Sequence, residues 1–121
     1  MLRHALKKVI WLGNSRKRIQ GLPEVAKDIA GEELMRVQKG ENPVDWRPMP
    51  DIAFGVKEIR IHNPDEYRIF YIASYAEAIY ILNVFGKTTK KTTQQDKQLG
   101  KARYAILQKL RKEQETKTGQ N

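Results

Sequence analysis

The sequence predicts one α+β domain built on a small antiparallel sheet, with its elements in the order β, α, α, β, β, β, α. Its 121 residues are a usual length for a single compact domain. Three β-type runs follow one another between residues 54 and 86 and are joined by short links, which favours an antiparallel meander. Apolar residues recur at steps of three and four before and after these runs, which indicates helices.

The part of the chain before residue 41 predicts a strand and two helices. Lys8 to Leu12 is β-branched and aromatic and stops at Gly13 and Asn14, a turn signal, so we expect a strand there. Ser15 is placed as the N-cap of a short basic turn. A longer helix is expected to begin near Pro23 and to end at Gly40. Its apolar stripe consists of Leu22, Val25, Ala26, Ile29, Ala30, Leu34 and Val37.

Residues 41–51 contain three prolines, which exclude regular structure and predict a connection from which Trp46 and Met49 return to the core. Strands are predicted at about 54–62, 67–74 and 77–86. Thr93 is expected to cap a last helix, and residues 113–121 are expected to form a frayed polar tail of the single domain, 1–121. The stripe of this helix consists of Leu99, Ala102, Ile106, Leu107 and Leu110.

The charge balance favours polyanionic partners. The formal net charge is +9, and ten lysines and arginines lie after residue 86 against three acidic residues. Cysteine is absent, which excludes disulfides and thiolate metal sites, and neither a cluster with metal-ligand spacing nor a glycine-rich cofactor motif occurs. No apolar stretch has the length of a signal segment or of a membrane span. A soluble, cytosolic protein without metal, cofactor or membrane partner is therefore expected.

Two arginines lie inside predicted strands rather than in loops. Alternation places Glu58, Arg60 and His62 on one strand face, while Arg68 shares a face with Phe70 in the next strand. Pairing around the loop at residues 63–66 would bring Arg60 and Arg68 together, where they repel unless a carboxylate or phosphate lies between them. Two interpretations stay open at this point. Either an external anion binds there, or the arginines form a structural ion pair with Glu58 or with Asp65 and Glu66.

The remaining polar features also have two interpretations each. The loop GKTTKKT offers ammonium groups and hydroxyls that suit phosphate, or it is a solvated basic loop. The basic last helix could lie on nucleic acid or a partner, or it could simply cover the sheet. His62 ends a strand beside a turn, where a histidine is more often a surface residue than an acid or base.

The ordered set of motifs resembles the RelE/ParE superfamily of type II toxins, and within it the phage-derived branch of HigB-like toxins. The resemblance covers about residues 7–112. It rests on WLGNSRKRIQGLP, VQKGENPVDWRPM, GVKEIRI, EYRIFY, AIYILNVFGKTTKKT and the closing basic helix. It implies a small sheet with helices packed on one side and a concave basic face.

The resemblance also implies a function. Such toxins are metal-independent endoribonucleases that cut messenger RNA on the ribosome by attack of a ribose 2′-hydroxyl on the adjacent phosphate, through positioning and cationic stabilisation. By motif position, Arg60 and Arg68 would hold the phosphate, and Lys87 would join them in catalysis. The residues expected to bind RNA are Lys57, Lys90, Lys91 and Arg103. The implied partner is an antitoxin with a helix-turn-helix domain.

Two departures from the family pattern leave the general base open. Glu58 occupies a strand position that is basic in some relatives, and no histidine or tyrosine takes a catalytic place after the last strand. Glu58, His62 or a lysine remain candidates for acid or base. ParE-like members of the superfamily inhibit DNA gyrase and cleave nothing, so gyrase inhibition is an alternative, and a simple nucleic-acid-binding module is another.

Overall fold

The structure, a computed structural model, describes residues 6–87 and 93–119. Its strands are β1 (Val9–Trp11), β2 (Trp46–Pro48), β3 (Val56–Ile61), β4 (Glu66–Ile72) and β5 (Ile79–Lys87). Its helices are α1 (Ser15–Gln20), α2 (Glu24–Gln38) and α3 (Gln94–Gly119).

The five strands form one mixed sheet in the order β1-β5-β4-β3-β2. Strands β2 to β5 pair antiparallel, which confirms the predicted meander for β3, β4 and β5. β1, however, runs parallel to β5, with Val9 opposite Ile79, so the prediction of an antiparallel sheet is wrong at this edge. The two segments are separated by most of the chain, and no local pattern specifies the direction in which such strands pair.

The proline-rich segment contains a strand that the sequence reasoning excluded. In β2, Trp46 lies opposite Ile59 and Pro48 opposite Lys57 of β3. β2 is the edge of the sheet, and an edge strand tolerates a proline because one of its sides needs no ladder hydrogen bonds. Met49 is buried in the core as expected, whereas Trp46 is only half-buried.

Helices cover both faces of the sheet, so the expectation of helices on one side is also wrong. The reason lies in β4 and β5, whose residues are buried on both faces and need cover on each. The core under α1 and α2 includes Ile19, Ala26, Ala30, Leu34, Val37, Ile59, Ile61, Ile69, Tyr71 and Ile81. The core under α3 includes Leu12, Met49, Ile52, Val56, Phe70, Ile72, Leu82, Phe85 and Leu107.

The last helix begins where it was predicted to begin but extends further. The backbone N–H of Asp96 donates to Thr93 Oγ1 over 3.2 Å, which confirms the cap. α3 continues to Gly119, so the tail expected to be frayed is helical to that residue. Of the predicted stripe, Leu107 is fully buried, but Ile106 and Leu110 are about half exposed. The helix instead approaches the sheet at Gly100, where a Cβ atom would lie 3.1 Å from the Phe70 ring.

Within residues 6–87 and 93–119, no helix combines the length and the apolar character that crossing a membrane requires.

Arg103 of α3 anchors this helix to the turn between β1 and α1. Its Nη2 donates to Asn14 Oδ1 over 2.6 Å and its Nη1 to the Leu82 carbonyl over 2.9 Å. The guanidinium lies on the backbone of Gly13, where a Cβ atom would be 2.6 Å from Nε. Gly13 has φ +56°, a left-handed conformation that other residues adopt only at a cost.

Gly13→Ala should therefore destabilise the protein by about 1–2 kcal/mol from the left-handed backbone, and more if Arg103 is displaced. Gly31→Ala is the matched control. Gly31 lies inside α2 with open space around its Cβ position, so alanine should stabilise the fold by about 0.5–1 kcal/mol. Urea unfolding of both variants measures the difference, and equal midpoints would contradict the role of Gly13.

Candidate functional site

A group of cations gathers on the α3 side of the sheet, where β2, β3, β4 and β5 lie side by side. We call Arg47, Arg60, Arg68 and Lys87 the cationic cluster. Arg60 lies directly opposite Arg68, which confirms that the pairing of these strands brings the two arginines together. Arg47 lies opposite Glu58, and Glu66 lies opposite Lys87. Residues opposite one another share a sheet face, so all these side chains meet on one surface.

Glu58 is the buried carboxylate of this group. It is 0% exposed, and its Oε1 lies 3.2 Å from Arg47 Nε and 3.8 Å from Arg68 Nε. A buried carboxylate stays in a fold only where cations and hydrogen bonds replace its water. Glu58 thus acts as the counter-ion that holds the arginines. In this geometry a substrate hydroxyl does not reach it, which weighs against Glu58 as a general base.

Arg68 forms the ion pair that the sequence left open as an alternative. The side chain is 1% exposed, and its Nη2 donates to Glu66 Oε1 over 2.9 Å while Nη1 donates to the Tyr67 carbonyl over 3.0 Å. With Glu58 on its other side, Arg68 lies between two carboxylates. A phosphate group would have to displace Glu66 to contact it.

Arg60 is the arginine of the cluster that forms no ion pair within the described residues. It is half-buried, and its Nε is enclosed by protein. Within the described residues its guanidinium makes neither a hydrogen bond nor an ion pair, although its backbone N–H donates to the Asp45 carbonyl over 3.0 Å. A partly desolvated guanidinium of this kind attracts an external anion more strongly than a solvated one does.

Lys87 lies at the end of β5 and is only 8% exposed. Burial lowers the pKa of its ammonium group, and the positive charge of Arg68 lowers it further. Glu58 opposes this effect, while Arg47 and Arg60 add to it. A lysine in such surroundings releases its proton more readily than a solvated lysine, and a proton donor or acceptor in catalysis needs this property.

His62 connects the site to two further carboxylates. Its Nδ1 lies 2.8 Å from Glu66 Oε2, and its Nε2 lies at hydrogen-bonding distance from Asp45 Oδ2. The hydrogen bond to Asp45, and after it the one to Glu66, raises the pKa of His62. Both ring nitrogens can donate only in the imidazolium form. The two carboxylate partners therefore favour the protonated ring, in which His62 donates to both Glu66 and Asp45.

The other residues expected to bind RNA do not join the cluster. Lys57 lies opposite Tyr71 on the other sheet face. There its Nζ donates to Asn42 Oδ1 over 3.0 Å and lies over the Trp46 ring. Arg103 directs its Nη groups at the protein itself, as described above. Lys90 and Lys91 lie outside the described residues.

Sequence reasoning missed Arg47, because the proline-rich segment was expected to be irregular. The signal available was the pattern Asp45-Trp46-Arg47, in which polar residues flank an aromatic residue, as they do in an edge strand with one solvent-exposed face.

Within the described parts of the chain, no three His, Asp or Glu side chains are arranged to hold a metal ion.

The fold and the site together define a small α+β protein that carries cations around a buried carboxylate on its sheet. Residues 17–105 match the family described as "Phage derived protein Gp49-like (DUF891)". The chain belongs to this Gp49-like family, and the matched region contains every residue of the cationic cluster together with Glu58 and Glu66. No curated protein sequence matches the chain.

The two carboxylates of His62 predict its titration. Its pKa should lie above the ordinary value for histidine, about 6.5, so its contribution to stability is present below that value and is lost as pH rises through the raised pKa. Glu66→Gln should move the pKa of His62 back toward 6.5, whereas Asp65→Asn in the same loop should leave it unchanged. Proton NMR titration of the imidazole gives these values. A pKa at or below 6.5 in the parent protein would rule out the paired imidazolium.

Proposed function

We propose that the protein is the toxin of a type II toxin-antitoxin system and acts as a ribosome-dependent endoribonuclease on translated messenger RNA. One observation carries the proposal: the half-buried guanidinium of Arg60 has no acceptor among the described residues and lies on the same surface as Lys87, whose pKa is lowered. This combination suits a phosphate group that accumulates charge during reaction.

The chemistry requires no metal ion from this site. The ribose 2′-oxygen forms a bond to the adjacent phosphorus, the bond from phosphorus to the 5′-oxygen breaks, and one proton leaves the 2′-hydroxyl while another reaches the 5′-oxygen. Arg60 would donate to the non-bridging oxygens of the five-coordinate phosphorus, where negative charge builds up. Lys87 would supply the proton to the leaving oxygen. The acceptor of the 2′-hydroxyl proton is left unassigned.

The buried pair has a different part in this proposal. Glu58 and Arg68 would position the reacting cations without touching RNA, because both are almost fully enclosed. Arg47, with its side chain 46% exposed, would add a contact to RNA at the border of the cationic cluster. Catalysis of this kind consists of holding charges in a fixed arrangement before the substrate arrives.

Membership of the Gp49-like family, which is toxin-like and phage-derived, supports the toxin part of the proposal, as does the resemblance to HigB-like sequences. The net charge of +9 supports an RNA ligand. A toxin of this type needs an antitoxin, and the proposed partner is a small protein with a helix-turn-helix domain that covers the cationic cluster.

Arg60→Ala tests the proposal. Loss of one donor to a developing oxyanion should lower messenger RNA cleavage in a translating extract by about 10²–10³-fold, and Arg60→Lys should recover part of it. The fold should keep its stability, because the removed cation has no carboxylate partner among the described residues. Arg68→Ala is a poorer test, since breaking a buried ion pair costs about 3–5 kcal/mol and unfolding alone would abolish activity.

Arg16→Ala, an exposed change on α1, is the control and should cleave at the parent rate. Mapping of RNA ends after induction gives the readout. Cleavage by Arg60→Ala at the parent rate would remove Arg60 from the mechanism. Gyrase-dependent DNA breaks without new RNA ends would instead identify a ParE-like gyrase inhibitor and overturn the nuclease proposal.

A further inference from the structure

A second pair of arginines converges on β5, at a distance along the strand from the cationic cluster. Arg18 of α1 and Arg103 of α3 both direct Nη1 at the side-chain oxygen of Asn83, over 3.3 Å and 3.5 Å. Asn83 is 0% exposed. It follows an extra residue in β5, Leu82, because Phe70 pairs with Asn83 while Tyr71 pairs with Ile81. This β-bulge places the amide where two elements from opposite ends of the chain meet.

The edge of β5 explains where these arginines lie. β1 pairs only with residues Ile79, Tyr80 and Ile81, and the edge of β5 continues beyond it. Arg103 Nη1 donates to the Leu82 carbonyl over 2.9 Å, and Arg18 Nη1 donates to the Val84 carbonyl over 3.1 Å. The two side chains thus donate to carbonyls of β5 that lie beyond its pairing with β1. Carbonyl and amide oxygens carry no net charge, however, so this role accounts for the positions of the arginines and leaves their charges uncompensated.

The pair differs in this respect from the cationic cluster. Within the described residues, neither Arg18 nor Arg103 forms an ion pair with a carboxylate, whereas Arg68 has two such partners. Burial, together with the charge of Arg18, lowers the pKa of Arg103, as expected for like charges held close together. The Nδ2 of Asn83 is also buried, with no hydrogen-bond partner in the described parts of the chain.

An open cavity of about 400 Å³ lies beside Arg18 and residues 84–86 of β5. Its lining contains the exposed Arg18, whose Nε and Nη2 make no hydrogen bond within the described residues, and one carboxylate, Asp96, which already accepts from Thr93 Oγ1. Gly86, which precedes Lys87 of the cationic cluster, also lines the cavity. Asn83 and Lys87 are four residues apart, about 13 Å along a strand.

We propose that Arg18 and Arg103 form a second phosphate site. Arg18 contacts a backbone phosphate of single-stranded RNA, and Arg103, whose Nη groups donate to the protein, contributes its positive charge without contacting the phosphate. One strand would then run along the end of β5 and meet both the second site and the cationic cluster. That the phosphate belongs to RNA rests on the proposed function, while the presence of an anion site rests only on the uncompensated charges.

Asn83→Asp is the sharpest test, because it places a carboxylate where both guanidiniums already donate. The internal counter-ion should raise the melting temperature and remove the need for an external anion. A 2′-O-methyl oligoribonucleotide, which has no free 2′-hydroxyl to react, is the probe for fluorescence anisotropy over a range of salt concentrations. N83D and Arg18→Ala should each bind about tenfold more weakly, with a salt slope lower by about 0.7, and Arg16→Ala on the same helix should bind like the parent. Parent-like affinity and slope in both N83D and Arg18→Ala would overturn the second site.

A second measurement separates this inference from the proposed function. Inorganic phosphate, followed by NMR at the Nε–Hε groups of Arg18 and Arg103, should shift these signals in the parent protein and leave them in place in N83D. Absence of a shift in the parent would overturn the anion site. Phosphate binding without oligonucleotide binding would keep the anion site and contradict the RNA ligand, while oligonucleotide binding that both variants retain would leave the nuclease proposal standing alone.

Discussion

The carboxylate of Glu58, buried in the face of the sheet, is the constraint on which the site depends. A charge without water must be surrounded by opposite charge, and Arg47 and Arg68 come from the strands on either side of β3 to supply it. The same carboxylate also acts on Lys87 of β5. Its negative charge raises the pKa of the lysine, against the effects of burial and of the arginines. One buried anion thereby fixes cations from three strands at a common point. Arg60 adds a further cation, which the described residues leave without an acceptor.

Burial and pairing separate structural cations from cations that can bind a ligand. Arg68 is buried with two carboxylates, and Lys57 covers an aromatic ring on the opposite face. Both would be grouped with Arg60 by sequence alone. Arg60 and Arg18 differ from Arg68 because neither forms an ion pair with a carboxylate of the described residues. The proposed RNA path runs from Arg18, at the edge of β5, to Arg60 in the cationic cluster.

Much of the local structure could be predicted because it depends on short-range periodicity. Alternation placed Glu58 and Arg60 on the face opposite Ile59, and the cap at Thr93 followed from its hydroxyl before a helical pattern. The parallel pairing of β1 could not be predicted, since it depends on a partner distant in the chain. The strand at Trp46–Pro48 was missed for another reason, because the prolines of its segment outweighed the alternation at Asp45-Trp46-Arg47. With β2 missed, Arg47 was missed as well. The sequence also could not decide between a free Arg68 and a paired one, because the choice depends on which carboxylates the register brings within reach.

The placement of helices on both faces follows from the burial of the central strands. Strand β5 is apolar at almost every position, a pattern typical of a strand covered on two sides, and that signal was available in the sequence. It was outweighed by the resemblance, which implied helices on one side. The consequence for the site is that α3 and the cationic cluster share a sheet face.

The electrostatic arrangement around Glu58 is tested most directly by the pKa of Lys87, measured from the side-chain signals of the lysine by NMR in the parent protein and in Glu58→Gln. We expect a pKa below the ordinary value for lysine in the parent, and a further decrease when the carboxylate is neutralised. A parent pKa at or above the ordinary value, or one that stays unchanged in Glu58→Gln, would show that the cations do not gather around a shared buried charge.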